Sequence, residues 1–477
     1  MSDRSHSAIL SRRLPESFSI ARVFPALSKR RGCLWLDSAS NSAEQNGLPS
    51  GKLSRYSFIT CDPIATLRAV PGDDNPWDTL SEWCSRLGSS LDPELPPFQG
   101  GIAGLIGYEA ATWLEDVGVA ANNDLPTPAI ALGVYDWTIA VDHLKNQAWI
   151  IVRNLDEQSS RKDLQQRLDE VESWLNVEPT ALMSSQASSL AARHEAGFST
   201  DHHGITSNFQ SGEFRAAVAD IVGRIRRGDS FQVNLAQRLV HSMDLSSPEL
   251  YQRLRRVNPA PFAAYFDGGD FQVLSSSPEG FLQLRNSHVE TRPIKGTVSR
   301  SGEPESDKRL ATQLSASKKD RAENIMIVDL MRNDLSRVCK DETVQVTQLC
   351  ELEAYQYVQH LVSVVEGDLR DNENAVSLLK ACFPGGSVTG APKIEAMKTI
   401  AELEPNPRGP YCGSIGYISS PETADFNILI RTITATGGQW QIPVGGGITA
   451  RSVPESEEIE TWTKAEGMIR AIIAADD

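Results

Sequence analysis

A chain of 477 residues with 40% hydrophobic content can bury a large core, as one large domain or about two or three average ones, and its 62 Asp and Glu against 46 Lys and Arg leave a formal charge of −16. No basic arm interrupts that balance, which argues against a nucleic-acid partner, and an anionic small substrate has to be held by locally placed Arg, Lys, metal or helix N-termini. The seven cysteines are scattered and never form Cys-x-x-Cys, Met1 to Arg13 has no apolar signal core, and no stretch of about eighteen apolar residues occurs; the expectation is a cytoplasmic protein with reduced thiols, no secretion signal and no membrane span.

In chain order, Leu34 to Asp37, Tyr56 to Thr60, Ala129 to Tyr135 and Trp149 to Val152 read as strands, and Lys162 to Leu175 as a helix. Residues 178 to 207, rich in Ser, Ala, Thr and His and weakly periodic, form a linker or long surface excursion between residues 1–177 and residues 208–477. Beyond it, Phe214, Val218, Ile221, Val222 and Ile225 fall at helical spacing and end at Gly228, before a strand from Ser230 to Leu235. Short glycine turns in Phe266-Asp-Gly-Gly-Asp-Phe271 and Thr436-Gly-Gly-Gln-Trp440 predict antiparallel hairpins, which favours α+β layers over a doubly wound sheet.

Chemistry concentrates in the second half. Glu279, in Ser275-Ser-Ser-Pro-Glu-Gly280, precedes Lys295, in Thr291-Arg-Pro-Ile-Lys-Gly-Thr297, by sixteen residues, so a carboxylate and an amine can meet in one cleft. A buried lysine loses its proton at a cost of about 1.4 kcal/mol per pKa unit and becomes a nucleophile; a lysine in a Lys-Gly turn is otherwise a solvated turn residue. The apolar helix predicted over Lys319 to Leu335 is expected to be mostly buried, and its Glu323 is either a dipole partner or a ligand of a hard divalent cation. His360, alone in an apolar stretch, is a core histidine or an active-site one.

Phe383-Pro-Gly-Gly-Ser-Val-Thr-Gly-Ala-Pro-Lys393 runs glycine-rich into a helix with Pro392 at its first position; Ala391 stands where a phosphate loop demands lysine, which rejects nucleotide binding. Arg431 projects from an otherwise apolar strand, Asn427 to Thr432, and needs an acid partner from protein or substrate. A second glycine loop, Gly445-Gly-Gly-Ile-Thr449, follows a strand and leads to a last helix beginning near Val453, with a capping box in Ser452-Val-Pro-Glu455. Glu457, Glu460 and Lys464 then share one face of that helix, as an exposed ion pair or as metal and anion ligands.

In their order, these segments resemble the chorismate-utilising enzymes, and among them component I of aminodeoxychorismate synthase, the sister of anthranilate synthase component I. The resemblance runs from Phe214 to the C-terminus, with weaker echoes in Leu36-Asp-Ser38, Ser54-Arg-Tyr-Ser-Phe58 and Gly100-Gly-Ile-Ala-Gly-Leu-Ile-Gly-Tyr108. It implies a layered α/β/β/α sandwich of two orthogonally packed antiparallel sheets with outer helices, residues 1–177 being its N-terminal part and 208–477 the chorismate-binding catalytic region. It implies Mg²⁺ at Glu323 and Glu460 with Glu457 beside them. Arg431, Tyr411 and the Gly447 amide are implied to hold the enolpyruvyl carboxylate, while Lys464 and the Ser387 to Gly390 loop, with Thr389, face the ring. His360 is implied to be an active-site histidine.

Within the family, Lys295 marks the subclass: anthranilate synthases carry alanine in the Pro-Ile-x-Gly-Thr motif. Gln232 stands where isochorismate and salicylate synthases carry a water-activating lysine. The implied reaction is attack of neutral Lys295 on ring carbon 2, with Glu279 as general acid and base, then addition of ammonia at carbon 4 to give 4-amino-4-deoxychorismate for p-aminobenzoate and folate synthesis. No cysteine lies in a glutaminase-like elbow, so ammonia is expected from a separate glutamine amidotransferase subunit. The resemblance also allows tryptophan at Ser38, Ser54, Arg55 and Tyr56. Two rival readings are an anthranilate synthase component I and a non-catalytic homologue that binds chorismate or tryptophan.

Overall fold

Extended runs pair along the whole length of the chain into two antiparallel sheets, one 13-stranded and one 10-stranded. A computed structural model describes residues 9–38, 54–122, 124–155, 161–175, 197–202, 204–300, 302–354 and 358–473. The larger sheet joins both sides of the 178–207 segment: Leu34–Asp37 pairs with Phe262–Asp267, and that strand with Phe271–Ser277 through the expected hairpin. Thr432–Thr436 continues the sheet, followed by Gln439–Ile448 and Gln232–Ser242. The smaller sheet is mixed in the same way, with Gly101–Ile106 paired to Ser414–Ser420.

Three apolar layers hold these sheets. Leu34, Phe58, Phe266 and Val273 from one sheet pack on Leu105, Ala131, Ile415 and Tyr417 from the other. Phe58, Phe98 and Tyr417 form a ring cluster with centroids 4.7 to 5.7 Å apart, and each such buried ring stabilises the fold by about 1.5–3 kcal/mol. On the far side of the larger sheet lie the helices Ile20–Leu27, Arg161–Leu175, Ser247–Val257 and Pro454–Ile473. The smaller sheet is covered by Pro76–Arg86, Lys318–Ser336 and Ala375–Cys382, while Lys393–Leu403 packs on Gln232–Ser242 of the larger sheet. The result is the expected mixed α+β sandwich of helix, sheet, sheet and helix.

Local chemistry sets several boundaries. Gly228 ends the helix Ser211–Arg227 in the left-handed conformation at φ 94°, and the Ser317 hydroxyl starts Lys318–Ser336 by accepting from the Asp320 amide at 3.3 Å. That second helix is less buried than its composition predicts: Ile327, Val328, Met331 and Leu335 face the core, whereas Ile325 is 47% exposed. The glycine run Gly445–Gly447 is a strand rather than a loop, lying inside Gln439–Ile448 opposite Leu235, Asn234 and Ala236. The Ser452 hydroxyl accepts from the Thr449 amide at 3.0 Å, and the last helix starts at Pro454. Of the expected excursion, residues 178–196 lie outside the described residues, and Phe198–Ser199 with Thr206–Ser207 extend the larger sheet. All seven cysteines are free and buried, and no described helix is long and apolar enough to cross a membrane.

Beyond residues 61–64, which join Tyr56–Thr60 of the larger sheet to Ala65–Ala69 of the smaller, the chain changes sheet at three more short crossings. One is Asp136, between Ile130–Tyr135 and Trp137–Asp142; the second is Pro278 and Glu279, between Phe271–Ser277 and Gly280–Arg285. The third, residues 428–431, joins Thr423–Asn427 to Thr432–Thr436. The last two lie side by side, since the Ile428 amide donates to the Glu279 carbonyl at 3.0 Å and the Ser276 amide to the Arg431 carbonyl at 3.1 Å.

Close backbone approach in the smaller sheet gives one test of this architecture. A Cβ on Gly416 would stand 2.0 Å from the Asp425 carbonyl oxygen, whereas one on Gly212 meets nothing within 4 Å. Gly416→Ala is expected to cost on the order of 2 kcal/mol or more in denaturant unfolding, and Gly212→Ala to leave stability unchanged or slightly raised.

Candidate active site

Between the sheet crossings, the glycine strand and two helices lies a cavity of about 690 Å³. Glu279 and Arg431 enter it from adjacent crossings. Arg431 is therefore not on a strand, as its apolar neighbours suggest, but in the connection at φ 50°, a left-handed conformation costing about 1–2 kcal/mol that the surrounding bonds must enforce. Lys295 enters from the edge strand Ile294–Ser299, whose register with Val358–Asp368 slips at Gly296. Gly296 sits at φ 76°, and a Cβ there would stand 2.7 Å from Leu314 Cδ1, so glycine alone permits the bulge beside the lysine. The Lys295 side-chain nitrogen donates to the Ser387 carbonyl at 3.2 Å, and Thr297 Oγ1 hydrogen-bonds His360 Nδ1 at 2.8 Å.

The last helix supplies the opposite wall. Lys464 pairs with Glu460 at 2.8 Å and donates to the Gly445 carbonyl at 2.9 Å. A Cβ built on Gly446 would stand 3.4 Å from Lys464 Nζ, 3.5 Å from Glu460 Oε1 and 3.7 Å from Glu457 Oε2, so the bare strand lets three charged groups gather over it. Glu323 faces them from Lys318–Ser336; its Oε1 is buried with no hydrogen-bond donor, and Lys319 lies 3.9 Å away.

Burial governs the charges. It lowers Lys295 below the usual lysine range, against the pull of Glu323 and Glu279 and with help from Lys464. It raises Glu279, opposed by Ser387, Lys295, the Ile294 amide and Arg431, and it raises Glu323 and Glu457. Burial pushes Glu460 the same way, but Lys464, Lys319 and Lys295 outweigh it and leave that carboxylate below its ordinary range. His360 is lowered to about 3 by burial and by Arg431, so its imidazole is neutral at physiological pH.

Lys295, Glu279, His360, Arg431, Tyr411, Gly447, Lys464, Glu323 and Glu460 thus line one cavity, with Glu457 over Gly446. Thr389 and Gly390 do not line it. The Thr389 hydroxyl donates to the Gly385 carbonyl at 3.1 Å, and Gly390 pairs with Val233, where a Cβ would stand 2.2 Å from the Gln232 carbonyl oxygen. Ser387 and Val388 of the same loop are the residues that reach the cavity. Ser38, Arg55 and Tyr56 line a separate cavity of about 660 Å³, in which Arg55 pairs with Asp142 at 2.8 Å; Ser54 is buried and not in its wall.

Lys319 and Asn234 are among the cavity residues that the sequence pattern does not single out. Lys319 stands one helical turn before Glu323, a spacing that pairs charges and could have exposed it. Asn234 sits opposite Gly447 through strand pairing that no local pattern reveals.

Among the described residues no three His, Cys, Asp or Glu side chains form a ready-made metal cage. The donor set nevertheless fits a hard divalent cation that completes its shell with substrate oxygens: carboxylates converge from two helices, and one buried oxygen of Glu323 lacks a donor.

A family model described as chorismate binding enzyme matches residues 33–470. An aminodeoxychorismate synthase component 1 from Bacillus subtilis (strain 168) is 37% identical over 444 residues, covering 90% of this chain and 92% of the relative. An anthranilate synthase component 1 from Streptomyces coelicolor is 36% identical over 430 residues, covering 90% and 82%. The crystal structure of anthranilate synthase component I from Streptococcus pneumoniae TIGR4 superposes with a TM-score of 0.76 at 33% identity, over 87% of this chain and 92% of that one. The chain belongs to the chorismate binding enzymes.

Proposed function

We propose that this protein is the aminating component of an aminodeoxychorismate synthase, converting chorismate and ammonia to 4-amino-4-deoxychorismate and water. The observation that carries the reading is Lys295, a lysine depressed by burial, in one cavity with a raised Glu279. Neutral Lys295 attacks ring carbon 2; the ring double bond migrates and the 4-hydroxyl departs as water with a proton from Glu279. The lysine nitrogen gives up its proton to Glu279. Ammonia then adds at carbon 4, the double bond returns, and the carbon–lysine bond breaks as Glu279 gives its proton to the leaving nitrogen and takes one from the new ammonium, with the enolpyruvyl group retained.

Arg431, Tyr411 and the Gly447 amide hold the enolpyruvyl carboxylate, and Lys464 with the Ser387 loop faces the ring. Glu323 and Glu460, with Glu457 beside them, would hold Mg²⁺, which supplies neutralisation and orientation of the ring carboxylate when bound. His360 stays neutral and acts as a hydrogen-bonding partner of Thr297 at 2.8 Å rather than as a proton carrier. Ammonia comes from a separate glutamine amidotransferase subunit, in the cytoplasm, and tryptophan is the proposed occupant of the cavity bearing Ser38, Arg55 and Tyr56.

Incubation with chorismate, ammonium and Mg²⁺, followed by mass spectrometry, is expected to yield aminodeoxychorismate. Lys295→Ala should lower that rate on the order of a hundredfold or more with the melting temperature preserved. Unchanged turnover would remove the covalent route; released pyruvate and anthranilate would instead identify an anthranilate synthase, the reading favoured by the 33% identical structure. An inert wild-type protein would leave only a binding homologue.

Chelation is expected to abolish turnover, with recovery on adding Mg²⁺, and Glu323→Gln should raise the Mg²⁺ concentration needed by about tenfold or more, read from a metal titration of the rate. Acid stability reports on His360. Its pKa is about 3 when folded and about 6.5 when unfolded, so the unfolded chain takes up the proton first and this contribution to stability is lost progressively as pH falls between those values. His360→Asn should therefore show a shallower decline of unfolding free energy over that window.

A further inference from the structure

Beside the segment that leads to Tyr411, a third cavity, of about 1110 Å³, is lined in part by Tyr108, Glu109, Glu404 and Arg408. Glu109, from the short helical turn Tyr108–Trp113, uses both carboxylate oxygens on consecutive backbone amides: Oε1 accepts from Arg408 N at 2.7 Å and Oε2 from Gly409 N at 2.9 Å. The Tyr108 amide completes the clasp by donating to the Gly409 carbonyl at 2.8 Å. These bonds tie the N-terminal half of the chain to a segment that two residues later places Tyr411 in the catalytic cavity.

The Arg408 side chain carries the same tie further. Its guanidinium pairs with Glu404 at 2.6 Å, donates to the Val388 carbonyl at 2.9 Å and to the Asn234 carbonyl at 3.1 Å, and stacks 4.7 Å from the Tyr108 ring. Val388, Asn234 and Tyr411 all line the catalytic cavity. Glu404 is held by that pair and accepts from the Ala236 amide at 2.8 Å, whereas the carboxylate of Glu109 has backbone amides as its hydrogen-bond donors.

We infer that Glu109 is a positioning residue: its ionised carboxylate, by holding the amides of Arg408 and Gly409 together, sets Tyr411, and with it the Arg408-anchored Val388 and Asn234, at the spacing chorismate requires. The inference rests on the chorismate reading of the catalytic cavity. Ionisation matters because a protonated carboxyl turns one acceptor oxygen into a donor facing an amide N–H, and one of the two bonds is lost. Burial raises Glu109 to about 7 against the amides of Arg408, Gly409 and Glu109 itself and the guanidinium of Arg408. The charged or titratable groups around it are Arg408 across the clasp and Tyr108 on its own turn, with Glu404 and Cys412 beyond them.

The test is calorimetric titration of chorismate with Mg²⁺ and without ammonia, at about pH 6 and about pH 8, on wild type, Glu109→Gln and Glu109→Asp. Wild type should bind about tenfold more weakly at the lower pH, the size of one charge-assisted bond. Glu109→Gln should bind about tenfold more weakly than wild type at the higher pH and lose most of the pH difference, with KM rising more than kcat falls. Glu109→Asp should recover part of both, and matching melting temperatures separate positioning from unfolding. Wild-type affinity with an unaltered pH dependence in Glu109→Gln, or wild-type binding that is equally tight at both pH values, would overturn the positioning role. Absence of chorismate binding in wild type would instead overturn the chorismate reading on which it stands.

Discussion

A polypeptide that serves two sheets must leave one hydrogen-bond ladder before joining the other, and the cavity that holds Lys295 is built on that requirement. At Pro278 and Glu279, and again over residues 428–431, the backbone is released from strand pairing, and the two released segments bond to each other. Glu279 and Arg431 therefore stand in the seam between the sheets, where side chains are aimed by a crossing rather than by the alternation of a strand. The positive φ of Arg431 is the local cost of that placement.

Desolvation gives the seam its chemistry. Lys295 is driven toward the neutral amine, while Glu279 and Glu323 are driven toward the protonated acids, and each opposes the other's shift by Coulomb attraction. A nucleophilic amine beside a proton-carrying acid is the state that burial favours for this pair. The bare backbone of Gly445–Gly447 lets the last helix press its charged face close, so Lys464 and Glu460 are placed by the lack of a side chain as much as by any contact.

What could be read without coordinates was what local periodicity encodes. Glu457, Glu460 and Lys464 lie on one helix face because their spacing is helical, and the hairpins at Phe266–Phe271 and Thr436–Trp440 follow from their glycine turns. The failures share a nonlocal cause. Gly445–Gly447 reads as a loop because glycine is a poor strand former, yet it pairs as strand with residues 234–236, so closely that the Leu235 carbonyl would lie 2.4 Å from a Cβ at Gly445. Arg431 reads as a strand residue because its neighbours are apolar, and only the sheet crossing explains its backbone. The Glu109 clasp spans 299 and 300 residues of chain, beyond the reach of any spacing rule.

The interleaving of early and late strands has a consequence for biosynthesis. Leu34–Asp37 finds its neighbour in Phe262–Asp267, and Gly101–Ile106 finds one in Ser414–Ser420. As the nascent polypeptide leaves the ribosome, those edges emerge long before their mates are translated, a high-contact-order arrangement prone to aggregation. Until Pro454–Ile473 has been translated and docks, the cavity lacks the wall that carries Glu460 and Lys464.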